Sequence, residues 1–391
     1  MTSDLDLFRR EAEHFVAEHY GRRADEAASG PVAVIPERAP AVEQVELAEA
    51  VAWRRTAFDA GFGWIDGPVE YGGRALPPEY ADAYRAVERQ FAVPDEGYTR
   101  FSVGIFCPTL LAHGSEQLRT SYLRRLRRAD HHPSQLFSEP DAGSDLASVR
   151  TRAEPDGEDW RVTGQKVWAS GAHYSDVGML LARTRPDTRR SAGLTVFLID
   201  MRQPGVEVRP IRQLTGGSSF SEVFLDGAVV RGDHLLGEVD RGWDVISTTL
   251  LHERAVIGSD GAVDLALVPR LLQLAQDHGR WDDPAVRRAI AEVYVRAQSN
   301  ALMTVDFLDR GDHGLPGPEM SLSKLLLTDN LQRMSEVAQS VLGESLVVDT
   351  GDEAFGWSQL PLTLPGLRIG GGTDEVLRSI VAHRVLGLPR G

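Results

Sequence analysis

A charged pair, Glu253-Arg254, interrupts an otherwise apolar helical pattern. Glu253 falls on the same predicted helix face as four apolar residues, which are Trp243, Ile246, Leu250 and Ile257. Burial disfavours an ionised carboxylate, and the resulting rise in pKa suits a general base at neutral pH. Adjacent helix residues do not face each other, so Arg254 cannot simply neutralise Glu253. The pattern alone leaves two interpretations open, a catalytic base and one member of a structural ion pair between helices.

Two polar segments with glycine are further candidates for binding chemistry. Residues 136–145 run from an apolar strand end into proline and glycine, which leaves main-chain N–H groups and the Ser138 hydroxyl free to meet a ligand. This segment is equally compatible with an ordinary turn. In residues 164–172, Trp168 and Ser170 are two positions apart. A strand would therefore present an indole and a hydroxyl on one face, where they could cover a planar ring and bond its edge.

The composition excludes several functional classes. The 391 residues include 57 acidic and 42 basic ones, so the net charge of −15 argues against binding nucleic acid by general electrostatic attraction. The single cysteine, Cys107, excludes an intramolecular disulfide, and no cysteine or histidine set has metal-ligand spacing, so we expect no metal. The N-terminus lacks a signal-peptide pattern, and no apolar run approaches the roughly 18 residues of a membrane span. We expect a soluble, cytoplasmic protein.

The period of the hydrophobic pattern divides the chain into three stretches that would position these residues. Helical patterns occupy residues 1–133, short strand patterns occupy 134–238, and helical patterns return over 239–391. Strands without helices between them favour an antiparallel barrel or sandwich. The expected fold class is α+β, with an N-terminal helical domain, a central β domain and a C-terminal four-helix bundle. The long helices predicted after the β domain are 243–278, 284–309, 319–343 and 372–386.

Four segments resemble, in order and separation, the motifs of the acyl-CoA dehydrogenase family of flavoproteins. They are residues 138–145, 164–171, 323–325 and 371–376. The resemblance covers nearly the whole chain, and Asp141 stands where a Gly is common in the first motif. It implies the fold of that family, FAD as cofactor, and oxidation of an acyl thioester to the trans-2-enoyl product. It also implies a homotetramer or related dimer of dimers, with electron-transfer flavoprotein as the electron acceptor.

The resemblance also implies roles for individual side chains. The cofactor-binding residues would be Gln135, Phe137, Ser138, Ser144, Trp168, Ser170, Thr373 and Glu375. Ser138 and Ser170 would hydrogen-bond the edge of the isoalloxazine ring, and Trp168 would pack on that ring. The two C-terminal residues would meet the flavin from the last helix, whereas Ser144 would lie near the CoA pantetheine or phosphates.

The position of the base differs from the commonest pattern of the family. Many members carry the catalytic Glu directly before the Gly-Thr of the C-terminal motif, where this chain has Gly371. A smaller set, similar to the isovaleryl and long-chain branches, places it before an Arg on the helix that follows the β domain. The resemblance therefore implies that Glu253 abstracts the α-proton and that Arg254 holds the site together. The main-chain N–H of Gly371 and a ribityl hydroxyl would bind the thioester oxygen.

The segment that resembles the family's contact to the adenine half of FAD also differs. Members usually have an Arg followed by Phe-Gly there, whereas in residues 277–284 His278 takes the Arg position and Arg280 is displaced. Two extra carboxylates in this segment would oppose a pyrophosphate. The steroid side-chain branch assembles two different subunits. The difference therefore fits either a heteromer with a paralogous subunit or a homomer that has lost one phosphate contact.

Three functional classes remain open at this point. The leading one is an FAD-dependent acyl-CoA dehydrogenase, and the glycine at position 371 favours branched, bulky or ring-bearing acyl groups. The second is a flavin oxidase or monooxygenase on the same scaffold. The third is a non-catalytic subunit that lends structure or FAD contacts to a paralogue. The carrier of the acyl group is also open, because CoA and acyl-carrier protein present the same phosphopantetheine thioester.

Overall fold

The chain separates into two compact units. Unit 1 contains residues up to 246 apart from two short segments, 26–37 and 213–216, which belong with residues 247–391 in unit 2. A computed structural model describes residues 4–23, 32, 38–188, 190–259, 263–310, 317–349 and 353–389. None of the helices in these ranges has the length and hydropathy of a membrane span.

Unit 1 begins with five helices. They are α1 (Asp4–His19), α2 (Pro40–Asp59), α3 (Pro78–Glu88), α4 (Gly97–His113) and α5 (Glu116–Arg127). Pro40 and Pro78 stand in the first turns of α2 and α3, where a missing N–H costs nothing. Ser115 caps α5 by accepting a hydrogen bond from the Leu118 N–H at 3.2 Å. Aromatic side chains of α1, α2 and α3, with Phe62, fill the core between these helices.

Eight strands of unit 1 form one sheet in the order β6-β7-β3-β2-β4-β5-β8, with β1 also paired to β4. The strands are β1 (Pro133–Leu136), β2 (Arg152–Asp156), β3 (Asp159–Ser170), β4 (Val177–Arg183), β5 (Leu194–Asp200), β6 (Val206–Ile211), β7 (Phe220–Val230) and β8 (Leu235–Leu236). The prediction of a purely antiparallel sheet is wrong at two places, because β1 and β2 each pair with β4 in parallel. The intervening chain at these places is long enough for a crossover, which parallel neighbours require.

Unit 2 is helical. Its elements are the greater part of α6 (Gly242–Ser259), α7 (Val263–Asp277), α8 (Pro284–Asp309), α9 (Met320–Leu342), α10 (Gln359–Ile369) and α11 (Asp374–Ile380). Helix α9 packs against α7, α8, α10 and α11. Its buried side chains therefore form the centre of the apolar core of this unit.

The helix predicted over 243–278 corresponds to α6 and α7, and residues 260–262 of it lie outside the described ranges. Two further helices are not distinguished by the pattern. Within the helical stretch 1–133, α4 is buried on several sides, at Val103, Ile105 and Phe106 among others, and so has no clear amphipathic period. Helix α10 was not predicted because Pro361 and Pro365 lie within it.

Candidate active site

A buried ion pair organises the first motif in unit 1. The Lys166 ammonium, on β3, is 0% exposed and donates to Glu139 Oε1 at 2.8 Å and to the Phe137 carbonyl at 2.9 Å. Glu139 also accepts hydrogen bonds from the main-chain N–H groups of Arg150 at 2.6 Å and Thr151 at 2.8 Å. Burial alone would raise the pKa of Glu139. The charge of Lys166 and the hydrogen bonds from these donors have the larger combined effect in the opposite direction, so the pKa lies below its usual value. The Glu139 carboxylate therefore has a structural role.

The first and second motifs are joined directly by hydrogen bonds. The Val167 N–H donates to the Ser138 carbonyl at 3.0 Å, and Ser134 Oγ donates to the Ser170 carbonyl at 2.9 Å. These bonds tie the end of β1 and the turn after it to β3. The structure thus brings together five of the residues predicted to bind the cofactor, namely Gln135, Phe137, Ser138, Trp168 and Ser170.

Trp168 has an unusual backbone. Its φ is 62°, in the left-handed region, and the register of β3 against β7 shifts between Lys166 and Ala169. The simple alternation that placed Trp168 and Ser170 on one face is interrupted by this bulge. The indole is 58% exposed and has an edge-on contact with Phe220, with ring centroids 6.3 Å apart. A large exposed indole held on a bulge suits a ligand ring.

The residues of this face fit a flat, polar-edged ring. Gln135 Nε2 is buried and has no hydrogen-bond acceptor among the described residues. A buried donor without an acceptor is costly, and a carbonyl or ring nitrogen of a ligand would satisfy it. Together with the exposed Trp168 ring, this donor makes the face a suitable place for a flavin. Ser144 lies apart from these residues along the chain and is exposed in the turn beyond Ala142.

In unit 2, α6 carries the predicted base. The helical pattern placed Glu253 on the buried face, but the structure buries Arg254, which is 8% exposed, and leaves Glu253 half-buried. Leu250, on the same predicted face, is likewise only half-buried, and the side chain of Ile257 lies outside the described set. Burial holds the pKa of Arg254 below its usual value, while the charge of Glu253 opposes that effect and that of Arg384 adds to it. Glu253 is thus the more accessible member of the pair.

The C-terminal motif forms a tight glycine turn between α10 and α11. Gly371 and Gly372 have φ values of 69° and 100°, which favour glycine strongly. The Lys324 ammonium of α9 is buried and donates to the Gly372 carbonyl at 2.8 Å. Thr373 caps α11 by accepting from the Val376 N–H at 3.3 Å. The turn therefore holds the Gly371 main chain in a fixed setting.

Glu375 and the segment at 277–284 have partners of their own. Glu375 is exposed, and hydrogen bonds from its own N–H and from Thr373 hold its pKa below the usual value. Arg280 donates to the Ser340 carbonyl at 3.0 Å and to Asp283 at 3.0 Å. Asp283 in turn accepts from the Ala285 N–H at 2.9 Å at the start of α8. Two of the residues that distinguish this segment thus stabilise local structure.

Lys166, Glu139 and Lys324 were given no role from the sequence. Each lies inside a motif. Lys324 had the signal that identified Glu253, a charged residue among apolar neighbours, whereas Glu139 lies in a segment typical of a turn and gave no such signal. Two described clusters therefore emerge. One lies in unit 1 around β1 and β3, and the other lies in unit 2 around α6, α9 and the glycine turn.

Comparison with known proteins identifies the family. The model of the acyl-CoA dehydrogenase middle domain matches residues 134–228, and that of the acyl-CoA dehydrogenase C-terminal domain matches residues 240–386. The chain is 35% identical over 382 residues to acyl-CoA dehydrogenase IpdE1 of Mycobacterium tuberculosis, covering 97% of this chain and 99% of that protein. It is 30% identical over 340 residues to acyl-CoA dehydrogenase FadE29 of the same organism, covering 84% and 85%.

A solved structure agrees over the full length. The Tcur3481-Tcur3483 steroid ACAD superposes with a TM-score of 0.77 at 25% identity, covering 99% of this chain and 98% of that one. The predicted α+β fold and the enzymatic class are thereby confirmed. The chain belongs to the acyl-CoA dehydrogenase family and is a flavin-dependent oxidoreductase that dehydrogenates acyl-CoA thioesters.

Proposed function

We propose that the chain binds FAD and that Glu253 is the base that converts an acyl-CoA to its trans-2-enoyl-CoA. The observation that carries this proposal is the pair on α6. A half-buried carboxylate stands beside a buried guanidinium, and position 371 in the C-terminal motif carries no carboxylate. Glu139, the buried carboxylate of the first motif, is unsuitable because three neighbouring residues already hold it.

The chain's own residues would perform the proton transfer. Glu253 would take the α-proton, and the electron pair of that C–H bond would form the new Cα=Cβ bond. The Gly371 N–H would donate to the thioester oxygen as negative charge develops there, and the fixed turn would aim it in advance. When bound, the flavin supplies the acceptor for the hydrogen and the electron pair that leave Cβ. Arg254 would position Glu253 from the adjacent helix position.

The face built by β1 and β3 would hold the cofactor. Gln135 would donate to the flavin through its unsatisfied Nε2, and Trp168 would cover the ring. The Ser138 carbonyl accepts from the Val167 N–H at 3.0 Å, and the Ser170 carbonyl accepts from Ser134 Oγ at 2.9 Å. Held in this way, the Ser138 and Ser170 hydroxyls would hydrogen-bond the edge of the ring. Phe137 would contribute main chain to the same site. The resemblance to the family also assigns cofactor contacts to Thr373 and Glu375. Ser144 would serve the CoA moiety.

We propose a bulky or ring-bearing acyl group as substrate. The support is that positions 370 and 371 carry no side chain, so nothing occupies the place where many members of the family carry the catalytic Glu. The solved relative is described as a steroid ACAD, and that chemistry agrees with the same proposal. CoA is the expected carrier, and an acyl-carrier thioester is the alternative to be compared in the assay.

We propose a heteromer with a paralogous subunit, and an electron-transfer flavoprotein as acceptor. The supporting observation is that Arg280 is engaged by Ser340 and Asp283, which leaves residues 277–284 without an evident phosphate contact of the family kind. The named solved relative also combines two components. A homotetramer is the alternative state of assembly.

The test is the colour and cofactor content of the purified chain, alone and co-expressed with its paralogue. The expected result is yellow protein in the co-expressed complex, with FAD identified by mass spectrometry after denaturation and loss of colour on anaerobic addition of a bulky acyl-CoA. Rapid recovery of colour in air without an acceptor would instead indicate an oxidase or monooxygenase. A folded complex without flavin would contradict the proposal.

A further inference from the structure

Lys324 is a buried cation that the chemistry described so far does not use. Its side chain is 0% exposed, yet an ammonium has three donors and is costly to bury without compensation. One donor reaches the Gly372 carbonyl at 2.8 Å, a contact that joins α9 to the glycine turn. A carbonyl offers no net charge. The positive charge must therefore be balanced by neighbouring groups.

Charged groups from three other elements of unit 2 face this ammonium. Burial is the largest influence and lowers the pKa of Lys324 to about 8, whereas the charges of Asp374 and Glu253 raise it and that of Arg368 lowers it. Lys324 thus stays protonated at neutral pH. Asp374 is occupied by Arg368, whose Nε and Nη2 donate to Asp374 Oδ2 at 2.8 and 2.6 Å. Asp374 and Glu253 are therefore the carboxylates whose charges favour the protonated lysine.

The hydrogen bond of Lys324 also restrains a turn that would otherwise be loose. Gly371 and Gly372 lack side chains and have positive φ, so few contacts of their own can fix their peptide planes. On one side of the turn, the ammonium holds the Gly372 carbonyl. On the other side, Asp374, whose side chain is 7% exposed, is held by Arg368. Together these contacts set the orientation of the main chain that would donate to the thioester oxygen.

We propose that Lys324 is a positioning residue for the reaction. Its hydrogen bond to the Gly372 carbonyl fixes the Gly371-Gly372 turn and so aims the Gly371 N–H that would donate to the thioester oxygen. This inference rests on the proposed function, in which that N–H binds the substrate while Glu253 removes the proton. It adds that the donor to the oxygen is held in place by a side chain of α9 that lies 48 positions before Gly372 in the chain.

The test is kcat and KM of Lys324→Met, Lys324→Gln and Lys324→Arg, each measured in the flavin-loaded enzyme. In Lys324→Met, kcat at neutral pH should fall about tenfold with KM within about twofold, because a misaimed donor is missed most when charge develops on the oxygen. Lys324→Arg can still donate to the Gly372 carbonyl and should keep most of the activity. Lys324→Gln has a shorter donor and should show an intermediate loss.

Asp264→Asn is the matched control. Asp264 is fully buried in the same unit, accepts a hydrogen bond from Asn330 Nδ2 at 2.8 Å, and has no hydrogen bond to the turn among the described residues. This variant should lower the melting temperature while kcat stays within about twofold of the wild type. A similarly small change of kcat in Lys324→Met would overturn the inference.

A second readout does not depend on activity. Hydrogen exchange of a peptide spanning 370–376 should accelerate in Lys324→Met, by about tenfold, but stay near wild type in Lys324→Arg. Unchanged exchange in Lys324→Met would overturn the restraint on the turn. If Lys324→Met does not fold, the Gln and Arg variants answer both questions. Failure of the proposed function is separate, since it would appear as full activity in Glu253→Gln.

Discussion

Two buried lysines, one in each unit, illustrate how the same residue type is used differently. Lys166 and Lys324 are both 0% exposed, and burial is the main cause that lowers the pKa of each to about 8. Lys166 contacts a carboxylate directly, Glu139 at 2.8 Å. Lys324 contacts a carbonyl at 2.8 Å and influences carboxylates only through its charge.

The difference explains why one carboxylate is structural and the other is suited to chemistry. The Glu139 oxygens accept hydrogen bonds from Lys166 and two main-chain N–H groups, and these bonds connect the first motif to β3. Glu253 is half-buried on α6, so part of its side chain is open to solvent. A base must be able to reach a substrate proton, and a partly exposed carboxylate meets that condition better than a buried carboxylate held by three donors.

The largest expected effect comes from Glu253→Gln. Removal of the base should lower kcat by about 10³-fold, because a positioned general base contributes roughly 10² to 10⁴. Flavin content and melting temperature should stay close to wild type. Steady-state turnover with an artificial electron acceptor gives the measurement, and Glu139→Gln is the matched control, since its loss should affect stability more than kcat.

The reverse pattern is expected for Lys166→Met. This change leaves Glu139 buried beside no cation, and breaking one partner of a buried pair typically costs about 3–5 kcal/mol. The free energy of unfolding from urea denaturation should fall by that order. Adding Glu139→Gln should recover part of the loss, because the double variant has no unpaired charge. An unchanged free energy of unfolding in Lys166→Met would contradict the structural role of the Lys166–Glu139 pair.

A smaller effect on the free energy of unfolding is expected when the pH is lowered. The folded pKa of Glu139 is lowered, so its contribution to stability is full above its unfolded value and is lost as pH falls through the folded value. Stability of the wild type should therefore decline below the reference value of 4.5. Glu139→Gln should be less stable at neutral pH and should have a shallower decline. Parallel slopes for the two proteins would contradict the assignment.

The smallest effect is expected from Arg280→Ala. The side chain is partly exposed and bonds to the Ser340 carbonyl and Asp283, so its loss should cost about 0.5 kcal/mol. Flavin content should not change, because the guanidinium is already engaged within the bundle. Loss of bound flavin would show that Arg280 contacts the cofactor phosphates instead.

The sequence predicted the order of helical and β regions well, since periods of about 3.6 and two are directly visible. The sequence pattern predicted fewer features correctly where tertiary contacts, rather than local periodicity, determine the structure. Helix α4 lacks an amphipathic period because it is buried on several sides, and the parallel pairing of β1 with β4 depends on tertiary neighbours rather than on local pattern.

The candidate site was predictable in its motifs but not in its electrostatics. Glu253 stood out because its neighbours on the helix face are apolar, while Lys324 stood among leucines and received no role. A charge on an apolar face signals that a partner exists, but the partner is distant in sequence. The contacts of Lys166 with Glu139 and of Lys324 with Gly372 span 27 and 48 positions. Only the folded chain identifies them.

The most direct measurement is the anaerobic mixing of flavin-loaded enzyme with a bulky acyl-CoA, followed by visible absorbance, in the wild type and in Glu253→Gln. This half-reaction needs no electron acceptor and reports the chemical step alone. The wild type should lose its yellow colour rapidly, whereas Glu253→Gln, loaded with equal flavin, should keep it about 10³ times longer. Equal rates of colour loss in the two proteins would contradict the assignment of Glu253 as the base.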